Sequence, residues 1–212
     1  NLNKINEKSK AGTSIIISKS CSNLKNVLLT VKTRKDFREW LTKNHDIEPE
    51  CWIIINRKKP KKENLKSESI VLYLDAVEEA LCFGWIDSTL KSVEGIGCLQ
   101  RFSPRRKISS WTELNKERCR RLEKLGLMTS SGRDVLPDMT EKGFIISNDI
   151  LKKLKKNPET WKNFQNFPLL YQRVRIDNIQ KIKNNNKLYE SRLKKFIENT
   201  EKNIIFGNWN DY

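Results

Sequence analysis

The sequence has only one histidine, His45, and no two cysteines separated by just two residues. Triads with a histidine base and multi-histidine metal sites both need histidines beside other reactive groups. Structural zinc sites need closely spaced cysteines, whereas the five cysteines here are scattered and odd in number. They are Cys21, Cys51, Cys82, Cys98 and Cys119. We therefore expect no metal site, no cofactor and no disulfide framework, and we assign His45 a structural role.

Long hydrophobic runs are also missing. A membrane-spanning helix needs about 18 or more consecutive apolar residues, and the longest runs here, such as 15–17 and 52–55, have the length of a strand. The polar residues 1–14 lack the apolar centre of a signal peptide. Together with the scattered cysteines, these absences predict a cytoplasmic protein without a membrane span.

Positive charge is abundant. Lys and Arg number 42 against 26 Asp and Glu, which gives a formal net charge of +16 and a pI of about 9.7. Such a balance favours anionic partners, which include nucleic acid, phosphorylated small molecules and anionic surfaces. A chain rich in Lys, Asn and Ile together could equally carry a solvated lysine surface with no partner. Composition leaves both interpretations open.

Strand-like and helical patterns alternate in the first half of the chain. The apolar runs 26–31 and 51–56 are short and β-branched, which is typical of strands. Thr33 and Asp36 form a variant capping box that predicts a helix between them and the second strand. The stretch "VLYLDAVEEALCFGW" predicts a second helix, and Gly84 fits its C-terminal end.

A hairpin and a third helix follow. Strands at 86–93 and 98–103 are joined by a turn that contains glycine. Ser110 with Glu113 predicts a capping box for a helix that ends near Leu125.

The chain from residue 147 onward has no strand-like run. Its helical pattern is interrupted at Pro158, at Pro168 and near 184–186. Residues 148–203 carry 14 Lys and Arg against 6 Asp and Glu, a net charge of +8.

The order β-α-β-α-β-β-α predicts an α+β fold with a small mixed β-sheet and packed helices, followed by a helical C-terminal region. We divide the chain into a loosely ordered leader at 1–25, an α+β core at 26–132, a connector at 133–146 and a helical C-terminal region at 147–205.

The stretch "EALCFGWIDS", residues 79–88, is the first candidate site. Helical spacing places Glu79 and Cys82 one turn apart on the polar side, with Trp85 on the apolar side and Asp87 just beyond the helix. A carboxylate could act as a general base if burial raised its pKa, or it could pair with arginines or bind backbone groups. Cys82 lies near a helix C-terminus, where the dipole disfavours a thiolate, so we expect it to be a packed residue.

The stretch "PRRKISSWTELN", residues 104–115, is the second candidate site. Arg105 and Arg106 precede a helix start, where free N–H groups attract anions. Trp111 could stack on a ring, and Ser109 and Asn115 offer hydrogen-bonding groups. The other interpretation is a capped helix beside a solvated basic loop.

Several stretches resemble the bacterial YdeI/OmpD-associated family, whose members are also called bacteriocin-protection proteins. They occur in order from about residue 33 to 132: "WLTKNH", "CWIIINRKK", "EALCFGWIDS", "PRRKISSWTELNKERCRRLEKLGLM" and "SSG". The region from "YQRVRIDNIQKI" onward resembles the family's helical C-terminal region, and Arg192 matches its arginine-rich helix. Thr112 departs from the family pattern, which has serine there, and the insert "KKPKKENLKSES" is longer and more basic than the pattern.

The resemblance implies stress or antimicrobial-peptide tolerance and defines no reaction. It implies a family-like surface formed by Glu79, Trp85, Asp87, Arg105, Ser109, Trp111 and Asn115.

The leading hypothesis is a non-enzymatic protein that binds an anionic small molecule or protein partner in a cleft between the GWID segment and the start of the third helix. Arg106 joins the seven family-like residues as a predicted ligand contact. Two alternatives remain: a nucleic-acid-binding protein that uses its basic C-terminal helices, and an enzyme that uses Glu79 or Asp87 as general base. The oligomeric state stays open.

Overall fold

The computed structural model describes residues 27–29, 31–56, 70–94, 97–141 and 143–211. The predicted leader at 1–25 and the basic stretch "RKKPKKENLK" lie outside these described residues.

Four strands form one mixed sheet in the order β1-β2-β4-β3. Their bounds are Val27–Leu29 for β1, Cys51–Ile55 for β2, Trp85–Val93 for β3 and Gly97–Pro104 for β4. The β1–β2 pair is parallel, whereas β4 runs antiparallel to both of its neighbours. The predicted hairpin and the predicted small mixed sheet are therefore confirmed.

Helix α1, Arg34–Asn44, provides the crossover that the parallel β1–β2 pair requires. Its capping box is present: the Asp36 N–H donates to Thr33 Oγ at 3.1 Å, and the Thr33 N–H donates to the Asp36 carboxylate at 3.0 Å. Its buried face consists of Phe37, Trp40 and Leu41. Phe37 lies 5.3 Å from Phe102 of β4 between ring centroids, so α1 packs on one face of the sheet.

Helix α2, Tyr73–Cys82, ends as predicted at Gly84, which has a φ of +73°. A Cβ atom at this position would lie 2.7 Å from the backbone oxygen of Ser131. The left-handed conformation and the close backbone contact both require glycine here. The helix end is thereby held where β3 begins, one residue later.

Helix α3, Glu113–Lys124, starts at a different cap from the one predicted. Thr112 is the capping residue, because its Oγ accepts a hydrogen bond from the Asn115 N–H at 3.1 Å. A cap at Ser110 would have started the helix two residues earlier. The prediction of Ser110 was therefore wrong, because two overlapping capping patterns occur in this stretch. Helix α4, Ser130–Asp134, follows α3.

Four helices follow among the described residues, and the predicted interruptions at Pro158, at Pro168 and near 184–186 separate them. They are α5, Asn148–Lys155; α6, Pro158–Asn166; α7, Leu169–Gln180; and α8, Asn186–Glu201. Pro158 occupies the first position of α6, where its missing N–H is tolerated, and Asn157 caps that helix. Their shared core is built around Phe164, Tyr171 and Phe196.

The chain divides into two compact units. The α/β unit comprises the residues up to Ser109 together with Arg121–Leu136, and the helical unit comprises Ser110–Arg120 and Pro137–Tyr212. Among the described residues, the α/β unit has 13 Lys and Arg against 12 Asp and Glu, a net charge of +1. The helical unit has 17 against 11, a net charge of +6. Among the described residues, the net positive charge therefore lies mostly on the helical unit.

Candidate functional site

A buried pair of carboxylates lies on α2, where the first candidate stretch begins. Glu78 and Glu79 are only 5% and 1% exposed. Arg34 donates from Nε to Glu79 at 2.5 Å and from Nη1 to Glu78 at 2.7 Å. Arg38 Nη1 donates to the second oxygen of Glu79 at 2.7 Å, and Arg121 pairs with Glu78. Each carboxylate is therefore bound by two guanidinium groups.

This arrangement decides between the two interpretations of Glu79. A general base needs an oxygen that can accept a proton from a substrate. Both oxygens of Glu79 instead accept charge-assisted hydrogen bonds from arginines. Pairing with arginines, one of the two expectations for this residue, is confirmed.

Cys82 is fully buried beside this ion cluster. Burial and the negative charge of Glu79 raise the pKa of its thiol to about 11, although Arg38 opposes the shift. A neutral thiol is a poor nucleophile at neutral pH. The geometry therefore agrees with the prediction that Cys82 is a packed residue.

Trp85 belongs to the core of the α/β unit. It is 1% exposed, its indole N–H donates to the His45 carbonyl at 3.0 Å, and its ring meets Trp40 edge-on at 5.8 Å. Asp87, two residues along β3, accepts a hydrogen bond from the Tyr73 hydroxyl at 2.7 Å. Both side chains thus make contacts within the unit that sequence patterns did not reveal.

The basic loop places its two arginines in different environments. Arg105 is 5% exposed, and its backbone N–H donates to the Gly84 carbonyl at 2.8 Å, which joins the loop to the GWID segment. Arg106 is exposed, and its carbonyl accepts from the Ser109 N–H at 2.9 Å. The α/β unit therefore brings Arg105 close to the start of β3.

Trp111 and Asn115 lie in the helical unit, at the start of α3. The carboxylate of Asp177 accepts from the Glu113 N–H at 3.1 Å and from Lys181 at 2.7 Å. Lys181 also donates to the Trp111 carbonyl at 2.5 Å. The N-terminus of α3 therefore does bind an anion, as its position suggests, but the anion is a carboxylate of the same chain.

The eight predicted contacts are divided between the two units. Six belong to the α/β unit: Glu79, Trp85, Asp87, Arg105, Arg106 and Ser109. The other two belong to the helical unit, where Asn115 accepts from Arg118 at 2.8 Å. Their shared role in binding a ligand stays a prediction.

A second charged surface lies on α5 of the helical unit. A shallow, open groove of about 610 Å³ is lined by Asn148, Leu151, Lys152, Lys153, Lys155 and Lys156. We call it the lysine groove. Lys153 pairs with Glu190 at 2.7 Å, and Lys155 Nζ lies 5.0 Å from the centre of the Trp161 ring. No carboxylate of the described residues pairs with Lys152 or Lys156.

The basic excess of this region was predictable from the sequence, but its position on one surface was not predicted. The signal was present in "KKLKK", because the lysines flank Leu154, which is fully buried. Residues three and four apart lie on one face of a helix, so Lys152, Lys155 and Lys156 project together.

Two further findings bear on the class of site. Within the described ranges, no three His, Cys, Asp or Glu side chains are grouped so that they could hold a metal ion. None of the helices in the described part of the chain combines the length and the apolar composition that crossing a membrane requires.

Two family models match the chain in succession. Residues 29–135 match the family described as Domain of unknown function (DUF8412), and residues 144–203 match the family described as Bacteriocin-protection, YdeI or OmpD-Associated. No curated protein and no solved structure matches the chain. The resemblance to the YdeI/OmpD-associated family is confirmed for the helical region, residues 144–203. Most of the motifs that suggested this family lie instead in residues 29–135, which match the DUF8412 model. The chain thus belongs to the DUF8412 family, whose model covers half of it, and it carries a YdeI or OmpD-associated bacteriocin-protection domain in its C-terminal helices.

Proposed function

We propose that this protein is a non-enzymatic, cytoplasmic binding protein for nucleic acid and that the lysine groove is its contact surface. The observation that carries the proposal is the set of four lysines on α5 and at its C-terminal cap, two of which have no carboxylate partner among the described residues. Lysines at this spacing act as point charges that can follow a phosphate backbone.

The shape of the groove supports a polymer rather than a small molecule. Small-molecule sites are concave and enclose most of the ligand's surface, whereas the lysine groove is shallow and open. Trp161, partly exposed beneath Lys155, adds an aromatic surface of the kind on which bases stack. The net charge of +6 on the described residues of the helical unit adds long-range attraction to a polyanion.

The α/β unit supports a binding role over a catalytic one. Its buried carboxylates are neutralised by arginines, and the pKa of the Cys82 thiol is raised to about 11 by burial and by Glu79. The description "bacteriocin protection" names a tolerance and no reaction. We propose that any such tolerance depends on the bound partner.

Fluorescence anisotropy of labelled single-stranded DNA, duplex DNA and RNA tests the proposal. With four phosphate contacts, affinity should fall on the order of 100-fold between about 50 and 200 mM salt. The double variant K152E/K156E should weaken binding at least tenfold more than the control K43E/K124E. The control changes the net charge equally at exposed lysines of the α/β unit.

Equal weakening by both pairs would mean that binding follows net charge alone, and the lysine groove would then have no special role. Failure of all three nucleic acids to bind at the lower salt would overturn the proposal and leave an acidic protein surface as the partner to examine.

A further inference from the structure

Arg175 of α7 is a half-buried cation that meets no carboxylate of the described residues. Its Nε atom is buried and makes no hydrogen bond, and its guanidinium lies 4.4 Å from the centre of the Phe206 ring. Arg118 and Arg173 of the same unit are each bound by carboxylates, at 2.9 and 2.7 Å. Arg175 therefore lacks the charge compensation that its buried neighbours have.

A buried donor lies beside Arg175. Tyr171, one turn earlier on α7, is fully buried, and its hydroxyl proton has no acceptor among the described residues. Burial lowers the pKa of Arg175, and the charge of Arg192 lowers it further, although Tyr171 partly offsets both. A buried donor and an uncompensated cation both carry a free-energy cost that a bound anion would relieve.

Two more cations approach the same place from α8. Lys195 Nζ lies 5.4 Å from the centre of the Phe206 ring, the same ring that Arg175 contacts. Arg192, one turn before Lys195, donates to the Asn178 carbonyl at 3.1 Å. Neither side chain pairs with a carboxylate of the described residues. Arg175 and Lys195 therefore contact the same ring, and Arg192 is near enough for its charge to lower the pKa of Arg175.

The segment after α8 holds this cluster in place. Gly207 has a φ of +73°, and a Cβ atom there would lie 2.6 Å from Arg175 Nη1. Only glycine lets the backbone come this close to the guanidinium. Trp209 packs edge-on against Tyr171 at 5.7 Å, so the segment is anchored on both sides. The Gly207 backbone and the Phe206 ring therefore both lie against the Arg175 guanidinium.

We propose that Arg175, Arg192 and Lys195 form a binding site for a phosphoryl group, either free phosphate or the phosphate of a small monoester. Arg175 supplies the guanidinium fork, and Arg192 and Lys195 supply further positive charge. A phosphoryl group carries nearly two negative charges, which match three cations better than the single charge of a carboxylate does. The site uses none of the residues that line the lysine groove, so it is independent of the proposed nucleic-acid binding.

Titration of the full chain with inorganic phosphate, followed by ¹H–¹⁵N NMR, tests the site. The Arg175 Nε–H and the Gly207 amide should shift in a saturable manner at constant ionic strength, which removes general screening effects. Methyl phosphate in a parallel titration distinguishes the two sources: tighter binding of the ester indicates a phosphomonoester, and tighter binding of phosphate indicates the free ion.

The double variant R192M/K195M should weaken phosphate binding at least tenfold while leaving the fold intact, because both side chains are exposed. The matched control K187M/K194M removes two exposed lysines of the same helix outside the cluster and should bind as the unaltered chain does. Absence of a saturable shift would overturn the proposal. Equal affinity in the two double variants would also overturn it.

Discussion

The α/β unit and the helical unit differ in the side chains that carry their positive charge. Among the described residues, the α/β unit has seven arginines and six lysines, whereas the helical unit has five arginines and twelve lysines. In the α/β unit, arginines approach buried carboxylates, as in the cluster around Glu78 and Glu79. In the helical unit, lysines project from exposed faces, as on α5.

The difference has a physical origin in the two side chains. A guanidinium is planar, weakly hydrated and able to bind two carboxylate oxygens, so it suits a buried pair. An ammonium is strongly hydrated and stays in solvent. The net charge of the described residues is +7, of which +1 belongs to the α/β unit and +6 to the helical unit.

The largest expected loss of stability comes from removing one charge of the buried ion cluster around Glu78 and Glu79. The substitution Glu79→Gln removes the charge that two arginines bind, and breaking a buried ion pair costs about 3–5 kcal/mol. Urea denaturation should show this loss in the free energy of unfolding. Glu39→Gln, at an exposed residue of α1 paired only with Lys35 at 3.8 Å, is the control and should change stability by less than about 1 kcal/mol. Similar losses of stability for the two variants would mean that the buried ion pairs of Glu79 contribute no more than an exposed pair does.

A smaller loss of stability is expected at Asp177, whose carboxylate caps α3 within the helical unit. Asp177→Ala removes the acceptor of the buried Glu113 N–H and a partner of Lys181. An unsatisfied buried donor costs about 1–3 kcal/mol. Thermal unfolding compared with Asp138→Ala, at an exposed residue of the same unit, measures the difference. A stability unchanged by Asp177→Ala would show that the helical unit does not depend on this buried contact.

The smallest expected change in stability concerns Asp149, and it should depend on pH. The hydrogen bond from Tyr189 holds the pKa of Asp149 well below its usual range; burial opposes the shift and Lys183 assists it. A carboxyl group whose pKa is lower in the folded state stabilises the fold above its unfolded pKa of about 3.9. That contribution is lost as pH falls through the lower, folded pKa.

Asp149→Asn should therefore destabilise the protein at pH 7 by about 0.5 kcal/mol, typical of an exposed pair, and by progressively less as pH falls below about 4. Melting temperatures measured across this range provide the comparison. A difference that stays constant with pH would show that the charge of Asp149 makes no contribution.

Local features of the chain were predictable where the interacting groups are close in sequence. The Thr33–Asp36 capping box, the end of α2 at Gly84 and the break at Pro158 each depend on residues within one turn. The start of α3 was misplaced, because Ser110 and Thr112 offer overlapping local patterns. Trp85 was placed on the apolar side of its helix, but nothing local revealed its bond to His45, forty residues earlier.

The net charge and its excess along the chain could be predicted from the sequence, but the partner of each charged side chain could not. The sequence by itself determined the α+β order of elements, the basic excess after residue 147 and the spacing that puts lysines on one face of α5, because these depend on local periodicity. Only the tertiary structure decided that Arg34 and Arg38 neutralise Glu79 and that Asp177 occupies the start of α3. It also decided that Arg175 meets no carboxylate among the described residues. The reason is that Glu79 and its arginines, and Asp177 and the start of α3, lie more than forty residues apart in sequence, and no local pattern encodes their meeting.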